Sequence, residues 1–190
     1  MPQDFSTKKI LILTANPIGT STLSLDEEVR EIEEVLQRAK NRELFYLKVL
    51  SAVRVQDVYQ ALLDYKPQIV HFSGYGEGES GLVLEDETGK QQLVPTKALA
   101  ELFKLFSGIE CIVLNACSSE AQAKAIIEYV SYVVWMNKEI GDKAAIKFVR
   151  GFYNAIGAGE SIEFAYKLGC NVIQLEGIPE HMAPMLLLHF

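Results

Sequence analysis

Twice in this chain a short run of apolar residues stops abruptly at small ones, and that pattern narrows the possible folds more than any other. Gln68-Ile69-Val70-His71-Phe72 runs into Ser73-Gly74-Tyr75-Gly76, and Cys111-Ile112-Val113-Leu114 runs into Asn115-Ala116-Cys117-Ser118-Ser119. A strand that is apolar at successive positions is buried on both faces, as in the interior of a mostly parallel sheet. The small residues then end each strand in a tight loop at the carboxyl edge of the sheet. If the two strands are neighbours, Tyr75 and Cys117 face each other across one cleft. In open α/β sheets that crevice is where ligands bind and chemistry is done.

The rest of the chain supplies the elements such a sheet needs. Lys8 to Ala15 reads as a first strand and Asn16 to Ser21 as a loop of turn residues. Ser24 with Glu27 has the form of a capping box, and Val29, Ile32, Leu36 and Ala39 recur at helical spacing behind it. Strands are expected at Leu44–Leu50, Gln68–Phe72, Glu110–Leu114 and Val130–Met136, and helices at Gln56–Tyr65, Thr96–Phe106 with Thr96 as its cap, and Ser119–Glu128, where Ser119 with Gln122 forms a second capping box. Gly81–Glu85 and Lys90–Val94 flank Asp86-Glu87-Thr88-Gly89 as a β-hairpin riding outside the sheet. A helix opens at Gly141-Asp142 and breaks at Gly157-Ala158-Gly159; Ser161–Gly169 is the last helix, and Val172–Leu175 a final strand. The alternation describes one domain over 1–190, a doubly wound, mostly parallel α/β sheet flanked by helices. The acidic face of the early helix, Asp26, Glu27, Glu28, Glu31, Glu33 and Glu34, reads as solvated surface, with attraction of a basic partner as the alternative.

Composition excludes several classes. A net charge of −7 argues against nucleic acid or an anionic membrane as partner. No apolar stretch approaches bilayer-spanning length, and the polar start lacks a signal-peptide core, so a cytoplasmic chain is expected. Cys111, Cys117 and Cys170 are an odd set without metal-ligand spacing, as are His71, His181 and His189, so neither a disulfide framework, a metal nor an organic cofactor is implied. Gly74-Tyr75-Gly76-Glu77-Gly78 is neither a Walker loop nor a dinucleotide fingerprint, because a hairpin follows it and no Gly-Lys-Ser/Thr is present. Cys117 is the candidate nucleophile: it ends a strand just before a helix N-terminus, where unpaired N–H groups favour a thiolate. The alternative is a thiol packed under that helix. His71, within the strand, reads as a hydrogen-bonded core histidine rather than a base.

The combination "HFSGYG", "LNAC", "ILILTANP", "LDEEVREIEEVL", "LVLEDETG" and "IGDKAAIKFVRGFYNAIGAG" with "AYKLGC" resembles the caspase-like CHAT domains of bacteria, relatives of caspases, metacaspases and separase. The resemblance covers nearly the whole chain. It implies a caspase-like cysteine-peptidase scaffold acting on protein or peptide, with Cys117 as nucleophile, Gly76 and the Cys117 N–H holding the oxyanion, and Asn115 beside them. The family's catalytic histidine is replaced by Tyr75, a phenol neutral at pH 7 that cannot take a thiol proton as imidazole does. Ser118 and Trp135 also depart from type, an indole at the rim would fill the substrate pocket, and Asn115, Ser118, Trp135 and His71 are the residues expected around that pocket. The leading expectation is a site rewritten into a pseudoenzyme, by evolution or by engineering, with a binding or regulatory role. The alternatives are an active endopeptidase using Cys117 and a self-associating module forming a homodimer.

Overall fold

The computed structural model describes residues 7–189. In chain order its elements are β1 (Lys8–Thr14), α1 (Leu25–Arg38), β2 (Phe45–Leu50), α2 (Val55–Tyr65), β3 (Ile69–Gly76), β4 (Gly81–Glu85), β5 (Gln91–Pro95), α3 (Thr96–Lys104), β6 (Cys111–Ala116), α4 (Glu120–Ile126), β7 (Tyr132–Met136), α5 (Asp142–Gly157), α6 (Ile162–Leu175) and β8 (Pro184–Leu188). The sheet order is β2-β1-β3-β6-β7-β8, with β4 and β5 hanging as a hairpin from the end of β3. All neighbours along that order are parallel except β7 and β8. The chain winds outward from β1 to β2 and then crosses to β3 on the other side, so the loop after β1 lies beside the carboxyl end of β3.

Because side chains alternate across a strand, the apolar runs fill two cores. Ile10, Ile12, Ile69, Val113 and Val134 pack under α1, α5 and α6 with Ile32, Phe148, Phe152 and Tyr153. Leu11, Leu13, Val70, Phe72, Ile112, Leu114, Val133 and Trp135 pack on the opposite face with Val58, Leu62, Leu99, Phe103 and Ile126. Both faces are covered, which is the reason the strands carry apolar residues at nearly every position.

Several sequence expectations shift. β3 does not stop at Phe72 but continues through Gly76, because β4 pairs antiparallel with its end, Tyr75 opposite Val83 and Gly76 opposite Leu82. The last helix does not end at Gly169, and Val172–Leu175 is its final turn rather than a strand; the final strand is β8. Gly169 is a packing residue: a Cβ there would lie 2.7 Å from the Phe148 ring, and one at Gly151 would lie 2.9 Å from the Gly169 Cα. The two glycines let α5 and α6 cross closely. Neither expected capping box forms: the Ser24 N–H donates to Asp142 Oδ2 at 2.9 Å, and the Gln122 amide donates instead to the Gly78 carbonyl and to Thr96 Oγ1, both at 2.7 Å. Thr96 is the first residue of α3 and not its cap, which is Pro95. Among the described residues, no helix is long and apolar enough to cross a membrane.

Candidate active site

The site is built on the face of the sheet covered by α1 and α5. The two-residue period of β3 sends His71, Ser73 and Tyr75 to that face, and the same period in β6 sends Val113, Asn115 and Cys117. The register pairs Ser73 with Asn115 and Gly74 with Ala116, which sets Tyr75 across from Cys117. The two columns carry the polarity of an otherwise apolar sheet.

Beneath the Tyr75–Cys117 pair lies a buried polar network centred on Glu28. This carboxylate comes from α1, at a position between Leu25 and Ile32 on the helix's buried stripe. The acidic face is therefore not uniformly solvated: Glu28 is 4% exposed, and Glu31 pairs with Arg150 at 2.9 Å. Glu28 Oε1 accepts from the Ser73 hydroxyl at 2.5 Å and from Asn115 Nδ2 at 2.9 Å, and it lies 2.8 Å from His71 Nε2. The other ring nitrogen, Nδ1, is 2.9 Å from the Tyr153 hydroxyl. Burial pushes the Tyr153 phenol well above its ordinary pKa, so it keeps its proton and donates. One tautomer of His71 then satisfies both neighbours, accepting at Nδ1 and donating from Nε2. With no exposed surface and both nitrogens engaged, His71 is a core histidine.

Above the network is a narrow cleft of about 40 Å³, room for a few waters. Its polar walls are Ser24, Glu28, Tyr75, Asn115, Cys117 and Asp142, and its apolar walls include Leu23, Leu25, Ala145 and Ile146. The loop between β1 and α1 straps across it, and the Tyr75 hydroxyl donates to the Ser21 carbonyl in that strap. Gly76 approaches Cys117 so closely that a Cβ at 76 would sit 2.5 Å from the Cys117 carbonyl oxygen, so only glycine fits. Ser118 is exposed and turns the chain with φ +53°, a left-handed conformation that swings the backbone from β6 into α4. Asn115 is buried in the network with Oδ1 unpartnered among the described residues.

The structure thus gathers Tyr75, Gly76, Asn115 and Cys117 at one place, with His71 directly beneath. Trp135 is not there. On β7 the alternation points it into the opposite core, packed near Ile112, Leu114 and Met185, and it does not line the cleft. Glu28, Ser73, Asp142 and Tyr153 were not foreseen. The signal for Glu28 was its place in the stripe Leu25, Glu28, Ile32, Val35, Leu36, where a charged residue in an apolar row marks a buried partner.

Residues 3–166 match the model of the CHAT domain family. The chain belongs to that family. A Roc-COR-CHAT protease from an unknown prokaryotic organism is 26% identical over 181 residues, covering 91% of this chain and 17% of the relative. A probable protease of Gillisia limnaea is 25% identical over 173 residues, covering 88% of this chain and 30% of the relative. This CHAT domain therefore spans less than a third of those relatives' lengths. In fold it is similar to a secreted C11 cysteine protease from Bacteroides thetaiotaomicron, solved with an irreversible peptide inhibitor, at a TM-score of 0.64 and 15% identity over 90% of this chain and 60% of that one. It is also similar to caspase-1 from Spodoptera frugiperda, at a TM-score of 0.60 and 11% identity over 98% of this chain and 89% of that one. The CHAT domain thus has the caspase-like architecture expected from its sequence.

Proposed function

We propose that this CHAT domain is a peptide-recognition module on a cysteine-peptidase scaffold, in which Cys117 is retained and amide hydrolysis is strongly impaired. The observation that carries this reading is the make-up of the cleft: its titratable walls are Glu28, Tyr75, Cys117 and Asp142, with no imidazole among them. A cysteine peptidase needs a group that takes the thiol proton and returns it to the departing amine near neutral pH. Tyr75 holds the expected position, but it is a phenol rather than an imidazole, and its hydroxyl is already engaged as a donor to the Ser21 carbonyl. His71 cannot replace it, since both ring nitrogens are engaged beneath the cleft. The close Gly76–Cys117 approach and the retained thiol support descent from a working peptidase site. The names of the sequence relatives point to the same chemistry in them.

The test restores the missing group. Parent, Tyr75→His and Cys117→Ala chains are assayed against a mixed fluorogenic peptide library. Parent turnover is expected at the Cys117→Ala background, and Tyr75→His is expected to gain roughly 10²- to 10⁴-fold, the usual share of general acid–base catalysis. Parent turnover that disappears in Cys117→Ala would overturn the impaired-peptidase reading in favour of an active endopeptidase.

A further inference from the structure

We propose that the cleft is built to take a cationic side chain, the guanidinium or ammonium group of a bound peptide, between Glu28, Asn115 and Asp142. The inference rests on the peptide-site reading above and names the group recognised. It starts from Asn115, which is 6% exposed. Its Nδ2 donates to Glu28 Oε1 at 2.9 Å, and this fixes the amide: turned over, the amide would set its oxygen against a carboxylate. The other end, Oδ1, has no partner among the described residues, although buried acceptors are almost always satisfied. An acceptor held in place and left unpaired beside a cleft asks for a donor from outside.

The charges ask for the same thing. The groups that donate to Glu28 are a hydroxyl, an amide and an imidazole N–H whose companion nitrogen accepts from Tyr153. They hydrogen-bond the carboxylate without bringing a guanidinium or ammonium to it. Asp142 adds a second carboxylate, of which Oδ2 accepts, among the described residues, only the Ser24 backbone N–H. Among the described residues lining the cleft there is no Lys, Arg or His. Buried negative charge without a cationic counterpart is unfavourable, and a ligand cation that also donates hydrogen bonds relieves both deficits at once. Leu23, Leu25 and Ile146 supply an apolar wall for the aliphatic stem of such a side chain. The cleft's present room fits only its head group, so entry displaces the strap carrying Leu23 and Leu25.

The experiment measures protection of Cys117 from iodoacetamide, followed by peptide mapping so that Cys170 does not confuse the count. Matched N-acetylated, C-amidated tripeptides differ only in their last residue: Arg, Lys, citrulline, Leu or Glu. Arg and Lys peptides are expected to protect at about tenfold lower concentration than citrulline, which keeps the shape and loses the charge. That preference is expected to shrink to within about threefold in Glu28→Gln and in Asp142→Asn. The second variant lies at the half-buried rim, so the comparison survives if Glu28→Gln folds poorly. Equal protection by citrulline, Leu or Glu peptides overturns the cationic inference and leaves the peptide cleft standing. Protection by none of the peptides overturns the peptide cleft itself, and the inference with it.

Discussion

Replacing Glu28 with alanine removes the one acceptor shared by His71, Ser73 and Asn115. Each donor left unpaired in a buried site costs about 1–3 kcal/mol. The adjoining cleft holds about 40 Å³, enough for a water to rescue some of that loss. The sum over the three donors is then about 3–5 kcal/mol, toward the lower end of three such losses. Against a total stability of about 5–15 kcal/mol this is roughly a fifth or more. For a chain of 190 residues it corresponds to a fall in Tm of roughly 6–20 °C. Glu28→Gln keeps an acceptor at the same place and is expected to cost about 1–2 kcal/mol. The assay is urea unfolding followed by circular dichroism, with both variants and the parent under one set of conditions. If Glu28→Ala falls within about 1 kcal/mol of Glu28→Gln, the network does not hold the fold together in the way its geometry indicates.

Tyr75→Phe removes the hydrogen bond to the strap; a half-exposed bond of about 0.5–1.5 kcal/mol predicts about two- to tenfold faster hydrogen exchange over residues 18–25, and unchanged exchange would refute the latch. Trp135→Phe is expected to leave the Cys117 alkylation rate within about twofold, with a Tm within a few degrees, because it deletes a buried N–H that has no partner among the described residues. The tryptophan emission should likewise be unmoved by peptide, and a peptide-dependent shift would place the indole in reach of the cleft. At high pH two desolvated phenols set the slope: burial raises Tyr166 to about 12 and pushes Tyr153 well above its ordinary value. A phenol raised in the folded state contributes fully below the unfolded value of 10.0 and loses that contribution as pH climbs toward about 12. Stability is therefore expected to fall across that window, and Tyr166→Phe to flatten the fall; an identical slope in the variant would dismiss the assignment.

Much of this arrangement is legible in the chain because it follows from alternation and periodicity. The continuous apolar runs at Ile69–Phe72 and Cys111–Leu114 identify interior parallel strands, and their small-residue ends identify the edge where Tyr75 and Cys117 meet. What is not legible arises from contacts between residues far apart. Glu28 looks like one more acid on an acidic helix until His71, Ser73 and Asn115 are brought to it from two strands. Gly169 reads as a helix stop, yet it is the place where Phe148 needs room. Ser24 and Ser119 have the spacing of caps, but tertiary partners claim them: the Ser24 N–H donates to Asp142, and the Ser119 hydroxyl accepts from the Met136 N–H. Trp135 sits at a strand end near the rim in sequence. One step of the two-residue period sends it to the far side of the sheet.

The Glu28 network also bears on how α1 finds its seat. Slid by one turn, the helix would present Ser24 or Ile32 to the polar column, and the carboxylate would meet apolar wall instead. Neither substitute can accept three hydrogen bonds at once. The apolar stripe alone, with side chains of similar size at successive turns, discriminates weakly between such neighbouring alignments. A single charged tooth among them makes one alignment mesh and the others jam, so the same residue that lines the cleft also sets the helix that forms its wall.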